Sequence, residues 1–308
     1  MAEDPRRIFD PSDSPVPDTP RPGERPAPWG ETRVVGRALP RVDAYERVSG
    51  TAVYPSDVTL PGMLHGAILR CPHPHARVVR IDTARARRMP GVRAVLDGSS
   101  PGADLLWTHS GSGTTIQTKI FDPVCRYEGE TVAAVAAETS LQARDALRAI
   151  EVTYEVLPFV SDERTALDPG SPLVHPGGNQ VGKTDAYSRG DVDRGFAEAD
   201  VVLEQRYRTA CEIHTPLEPH GCVANWEGDR LTLWESTQGV YAVQKTVAEV
   251  LGMPLSKVRV IGRYMGGGFG SKLTPGKYTI IAALLARAAG RPVRRSEERR
   301  VGKECRSR

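Results

Sequence analysis

The run Met265-Gly266-Gly267-Gly268-Phe269-Gly270-Ser271-Lys272 sits between a strand-like apolar stretch at 257–261 and a helix-like one at 278–289 that stops at Gly290. Four glycines in five positions remove the side chains that hold a ligand away from the main chain. They also admit backbone angles that other residues avoid. Such a loop offers its N–H groups, with the opening turn of the next helix, to an anionic group. A Walker-type phosphate loop requires Gly-Lys-Ser/Thr, whereas Ser271 precedes Lys272 here, so that reading fails. A dinucleotide fingerprint requires G-x-G-x-x-G. Gly266, Gly268 and Ser271 miss it at the last position, and the acidic residue expected about 20 positions on falls near Val293. A merely flexible loop would gain nothing from glycines that are entropically costly to order.

Working outward, residues 241–251 form an amphipathic helix pattern through Val243, Val247, Val250 and Leu251, closed by Gly252 and Pro254. Residues 201–207, 222–226 and 231–235 alternate as half-buried strands do. The stretch 160–195 is rich in Pro, Gly and Asp with weak periodicity, as an interdomain connection would be. Before it, 54–58, 63–70 and 76–82 read as short strands between Pro and Gly turns, 83–89 as a helix and 92–96 as a strand. A Gly/Ser-rich loop is expected near 98–114, then an apolar strand at 131–137, a helix at 139–150 and an alternating strand at 151–156. The fold class is α+β. The expected organisation is a Pro-rich disordered stretch at 1–31, a first domain at 32–160, a connecting segment at 161–199, a second domain at 200–294 and a charged tail at 295–308.

The 308 residues are enough for one large or two ordinary domains with a proper core. The net charge of +3 misleads, because residues 295–308 hold six basic against three acidic residues and leave the rest of the chain neutral. That balance argues against nucleic-acid binding. No apolar run reaches membrane-spanning length, and the N-terminus lacks the basic-then-apolar pattern of a secretory signal. Cys71, Cys125, Cys211, Cys222 and Cys305 are scattered without a C-x-x-C pair. They support neither an iron–sulfur cluster nor a structural zinc, and isolated thiols fit a cytoplasmic protein.

Taken with Gln238, the glycine run resembles the cofactor loop of the xanthine dehydrogenase and aldehyde oxidase family of molybdenum hydroxylases. Other stretches carry the same resemblance. Gly50-Thr51-Ala52-Val53-Tyr54, Cys71-Pro72-His73-Pro74-His75-Ala76, Tyr127-Glu128-Gly129-Glu130-Thr131-Val132 and Val152-Thr153-Tyr154-Glu155-Val156-Leu157-Pro158 are similar to that family's hammerhead domain. Gly195-Phe196-Ala197-Glu198-Ala199-Asp200, His214-Thr215-Pro216-Leu217-Glu218-Pro219-His220 and Ser236-Thr237-Gln238 are similar to the start of its first cofactor domain. The resemblance therefore implies a hammerhead domain followed by the incomplete first part of a molybdenum-cofactor-binding α+β domain.

It also implies a molybdenum–molybdopterin cofactor, with the cytosine dinucleotide form among the alternatives. Iron–sulfur and FAD groups would lie on partner subunits, since neither motif occurs here. The reaction implied is oxidative hydroxylation of an aldehyde or a (hetero)aromatic substrate with water as oxygen source. Gln238 matches the glutamine whose amide faces the metal's oxo or sulfido ligand, and Gly267, Gly268, Phe269 and Gly270 match the loop whose main chain approaches it. The family's glutamate general base lies far toward the C-terminus of a full subunit, so no residue here is assigned as catalytic and the fragment alone is expected to be inactive. A glutamate of purine-oxidising members is replaced by Leu273, which argues against xanthine itself. A non-catalytic scaffold or maturation protein built on the hammerhead unit is the alternative.

Several side chains invite metal readings that the pattern does not favour. Prolines alternate with His73 and His75, fixing an extended turn rather than a ligand set. His214, Glu218 and His220 lack H-E-x-x-H helical spacing, and Pro216 and Pro219 interrupt any helix, so loop ordering or a substrate-channel wall is expected. Lys272 is expected either to meet a phosphate or to reach solvent. The strand pattern breaks off at Arg295, and residues 295–308 resemble translated sequencing-adapter read-through, so that tail is expected to be non-native and unstructured.

Overall fold

The computed structural model describes residues 38–296 apart from 112, 113, 181, 183, 185 and 211. The Pro-rich 1–31 stretch and residues 297–308 of the charged tail lie outside the described residues. One short helix, α1 (Ala44–Ser49), belongs to an N-terminal unit that ends at Ala52. It terminates at Gly50, whose φ of 75° is the left-handed turn that lets the chain leave a helix.

From Val53 onward the chain forms one unit. Its first elements are β1 (Leu64–Arg70), β2 (Ala76–Asp82), α2 (Ala84–Arg87), β3 (Val92–Leu96), β4 (Leu106–Gly111), β5 (Thr114–Lys119) and β6 (Val124–Cys125). Then come β7 (Thr131–Ala137), α3 (Ser140–Arg148) and β8 (Glu151–Val156). After a long stretch broken by α4 (Val192–Ala197) come β9 (Gly221–Glu227), β10 (Arg230–Glu235), α5 (Val240–Leu251), β11 (Val258–Ile261), α6 (Lys277–Ala289) and β12 (Val293–Ser296). Helix α3 starts with a capping box, Thr139 accepting from the Gln142 amide while the Gln142 side chain accepts from Thr139.

The two expected domains share one sheet. Its strand order is β11-β10-β9-β12-β1-β7-β3, so the last strand among the described residues lies between the two halves. Strand β12 runs parallel to β1 (Leu64↔Val293) and antiparallel to β9 (Val293↔Ala224). The approach requires glycines: a Cβ on Gly66 would come within 3.0 Å of Val293, and one on Gly221 within 2.9 Å of the Arg295 carbonyl. The stretch at 161–199 therefore separates the halves in sequence but not in the sheet.

Strand β7 is buried at all seven positions, with both faces covered. Ala133 and Val135 pack with Ala86 of α2, Val95 of β3 and Ala146 of α3. Ala134 and Ala136 face a larger core built from α5, α6 and β9–β10. Its small side chains let helices lie close on both sides. Helix α6 is buried from Lys277 to Ala286. Lys277 pairs with buried Glu130 at 3.1 Å, which ties α6 to the start of β7.

Four expectations are corrected. Residues 54–58 form no strand: Asp57 N–H donates to the Tyr54 carbonyl at 2.8 Å and Tyr54 N–H to Asp57 Oδ2 at 3.0 Å, closing a turn with Pro55 at its second position. Residues 201–207 are exposed and unpaired. The loop expected near 98–114 contains most of a hairpin, β4–β5, in which buried Trp107 faces buried Thr118. The strand at 293 continues through Arg295 and Ser296, two residues past the expected boundary. There it pairs with β9 (Arg295↔Cys222, Ser296↔Gly221), and the Arg295 guanidinium lies 5.3 Å from the Tyr278 ring centroid, which accommodates a basic residue in the interior.

Candidate functional site

The glycine run links β11 to α6 and folds back against the segment just before α5. Its two ends are pinned by different partners. At the start, Gly266 N–H donates to Glu218 Oε2 at 2.8 Å and the Gly266 carbonyl accepts from Glu218 N–H at 3.1 Å. At the end, the Lys272 carbonyl accepts from Gln238 N–H at 2.8 Å and from Thr237 Oγ1 at 3.0 Å. Within the run, Ser271 N–H and Oγ both donate to the Gly268 carbonyl, at 2.9 and 2.7 Å.

Gln238 lies against this loop. Its Oε1 accepts from the N–H groups of Gly270 at 2.9 Å and Lys272 at 3.3 Å. An amide nitrogen in that place would oppose two donors, so the network fixes which way the side chain is turned. The NH2 end is left as a donor for something outside the loop, and it has no hydrogen-bond partner among the described residues. A Cβ on Gly268 would lie 2.5 Å from Gln238 Oε1, so only glycine permits this approach.

The N–H groups of Gly267, Gly268 and Phe269 have no hydrogen-bond partner among the described residues. Gly267 has φ 98° and Phe269 has φ 50°, the latter a left-handed conformation that costs a non-glycine residue about 1–3 kcal/mol. The Phe269 side chain is 70% exposed. Across from the loop, Thr215 is likewise left-handed, with φ 37°. Strained main chain beside open amides describes a surface shaped for a ligand rather than for its own packing. Gln238, Gly267, Gly268, Phe269 and Gly270 are thus brought together as the sequence suggests, although Gly270 spends its N–H on Gln238.

Lys272 overturns both sequence expectations. Its side chain is 0% exposed, and Nζ donates to the Glu218 carbonyl and to Ser236 Oγ, each at 2.7 Å. Burial holds its pKa below the ordinary lysine value, and the Glu218 charge partly offsets that. Of the His214–Glu218–His220 trio, two members order the loop: Glu218 as above, and His220, whose Nε2 donates to the Ser271 carbonyl at 3.0 Å. His75 Nδ1 donates to the Pro158 carbonyl at 2.7 Å, and His73 meets Tyr154 edge-on, so both imidazoles of this Pro-His run make contacts within the fold.

Beneath the site, Glu235 is fully buried, and desolvation pushes its carboxyl up to about 8, opposed by the Thr279 Oγ1 hydrogen bond at 3.0 Å and by the nearby Tyr278, Cys222 and Arg295. Sequence reasoning missed Ser236, Lys272 and Glu235 as interior polar groups. The Lys272–Glu218 contact spans 54 positions, and no local spacing announces it.

Comparison with known proteins gives two family-model matches: "Aldehyde oxidase and xanthine dehydrogenase, a/b hammerhead domain" over residues 49–158, and "Molybdopterin cofactor-binding domain" over residues 174–302. The second match runs past residue 294. The chain is 36% identical over 264 residues to a probable xanthine dehydrogenase subunit of Bacillus subtilis, covering 84% of this chain and 34% of that protein. It is 37% identical over 246 residues to the nicotinate dehydrogenase large molybdopterin subunit of Eubacterium barkeri, covering 78% and 56%. The structure of quinoline 2-oxidoreductase from Pseudomonas putida 86 superposes with a TM-score of 0.76 at 34% identity, over 85% of this chain and 34% of that one. The chain thus spans between about a third and about a half of the length of these relatives.

Proposed function

Because the chain belongs to the xanthine dehydrogenase and aldehyde oxidase family of molybdenum hydroxylases, we propose that Gln238 and residues 266–270 cradle a molybdopterin-held molybdenum centre. The chain would act as the N-terminal part of a large subunit that hydroxylates an aldehyde or a (hetero)aromatic substrate with oxygen from water. The observation that carries this reading is the set of three open amides, at Gly267, Gly268 and Phe269, beside a glutamine whose carbonyl is already engaged. A cofactor without a protein ligand has to be held by directional donors, and these four groups supply them without adding charge.

When bound, such a cofactor supplies the two-electron redox chemistry. This chain's part is positional. Gln238 NH2 and the loop amides orient the group, and Phe269 stands exposed at the same surface. Leu273, 55% exposed just after the loop, offers no carboxylate to a purine, which supports an aldehyde or a non-purine heteroaromatic substrate. None of the described residues is assigned the general-base role, and inactivity of the chain alone is part of the same reading. Iron–sulfur and FAD subunits are the expected electron-carrying partners, and the cytosine dinucleotide form of the cofactor belongs to the same reading. A cytoplasmic location is part of it too, supported by the scattered thiols. Among the described residues no helix is long and apolar enough to cross a membrane.

The test is molybdenum and pterin content of the full-length subunit, co-expressed with its neighbouring genes. Gln238→Ala removes the free amide and unpins two loop N–H groups, and is expected to weaken cofactor retention about tenfold or more, the scale of one or two hydrogen bonds. A subunit that never takes up molybdenum would support the scaffold or maturation alternative instead.

A further inference from the structure

We propose that Glu218 is a positioning residue that holds the start of the glycine loop in register, so that the amides of Gly267, Gly268 and Phe269 stay open together. The purpose of that opening rests on the cofactor reading above, whereas the clamp itself stands on geometry.

Glu218 grips Gly266 with both main chain and side chain, through the two hydrogen bonds described above. A Cβ on Gly266 would lie 2.5 Å from Glu218 Cβ, so the contact is closed to any other residue. The carboxylate is held in turn: Ser236 Oγ donates to Oε2 at 2.7 Å, and Lys272 Nζ lies 3.7 Å from the same oxygen. Lys272 is the other end of the loop, and its carbonyl is held separately by Gln238 N–H and Thr237 Oγ1. With the Gly266 end fixed by Glu218 and the Lys272 end by those main-chain bonds, the intervening residues cannot relax into a turn that would satisfy their own N–H groups.

The energetics favour a geometric role over a stabilising one. Desolvating two charges offsets most of their attraction, and well-packed apolar replacements of such pairs are often neutral or better. What an apolar pair cannot do is accept the Gly266 N–H. An amide oxygen in the same place can accept it as the carboxylate oxygen does. The second carboxylate oxygen, Oε1, is buried and has no hydrogen-bond partner among the described residues, so an NH2 group can occupy its place while the acceptor at Oε2 is kept.

Two double variants of this chain separate position from charge: E218Q/K272M keeps the acceptor, and E218L/K272M removes it, with both losing the ion pair. Amide hydrogen exchange is read on the peptide carrying residues 265–272. Loop exchange within about twofold of the parent is expected for E218Q/K272M, and at least about tenfold faster for E218L/K272M, with β7 and α6 unchanged in both. Equal loop exchange in the two doubles overturns the proposal. Should either double lose protection in β7, the single variants decide. E218Q, keeping reach without charge, should hold the loop, and E218D, keeping charge with shorter reach, should open it; the reverse order overturns the clamp. In the full-length subunit, molybdenum content should fall in E218L/K272M and persist in E218Q/K272M, and equal content in both overturns the positioning role. If the parent subunit binds no molybdenum, the cofactor reading fails while the exchange result still decides the clamp.

Discussion

Strand β7 and the stretch at 201–207 carry comparable strand-forming sequences and end in opposite states. Thr131-Val132-Ala133-Ala134-Val135-Ala136-Ala137 is buried at every position between β1 and β3. Val201, Leu203 and Tyr207 fall on one face of an alternating pattern, yet are 74%, 81% and 86% exposed, with no strand pairing. Alternation says only that a segment could present an apolar face. Whether it becomes a strand depends on a neighbouring edge offering hydrogen bonds and on a surface to cover it. In this chain β7 finds both, on two sides, and 201–207 finds neither.

The difference can be broken from the β7 side with the largest effect. Val135→Asp would put an unpaired carboxylate among Ala86, Val95, Ala146 and Ile150, where it has no donor. A loss of at least ~4 kcal/mol is expected, enough to abolish a cooperative urea transition; a mutant that unfolds near the parent midpoint would mean that β7 is not the centre of the core.

An intermediate effect concerns Glu235 on the neighbouring sheet half. The groups facing it are Cys222 on β9, Tyr278 and Thr279 on α6, Arg295 on β12 and Lys272 at the end of the glycine loop. Its folded pKa is raised by burial to about 8 from 4.5, so the folded state keeps a proton that the unfolded chain releases. That contribution is complete below about pH 4.5 and is lost as pH rises through about 8. Thermal stability should therefore fall from pH 5 to pH 9 in the parent and fall less in Glu235→Gln, with the gap widening to on the order of a few kcal/mol at the alkaline end. Parallel pH profiles for the two proteins would show that Glu235 does not hold its proton.

The smallest effect is expected at Leu203→Ser. An exposed, unpaired position should change the stability of this chain by no more than about 0.5 kcal/mol in a urea titration. A loss of about 2 kcal/mol or more would show that 201–207 is covered in solution and would erase the contrast with β7.

The same contrast marks how far the sequence could be read. Periodicity located β8–β10 and helices α3, α5 and α6, Pro and Gly punctuation located β1–β3 and α2, and apolar runs located β7 and β11. Gln238 and the glycine run were legible through their local composition. The hairpin β4–β5 was hidden because its Gly/Ser-rich turn looks like a loop until Trp107 and Thr118 are seen facing one another. Arg295 looked like the start of a charged tail until β9 and the Tyr278 ring took it up.

Composition alone determined that the chain near 266–270 must be bare main chain and that alternating segments flank it, since glycine content and apolar period are local properties. Tertiary structure decided which amides stay open, which way Gln238 turns, and that Lys272 is buried against Glu218 rather than in solvent. It also decided that the last strand among the described residues joins both halves into one sheet. Those outcomes depend on groups tens to hundreds of positions apart meeting at hydrogen-bonding distance, and no spacing along the chain encodes such a meeting.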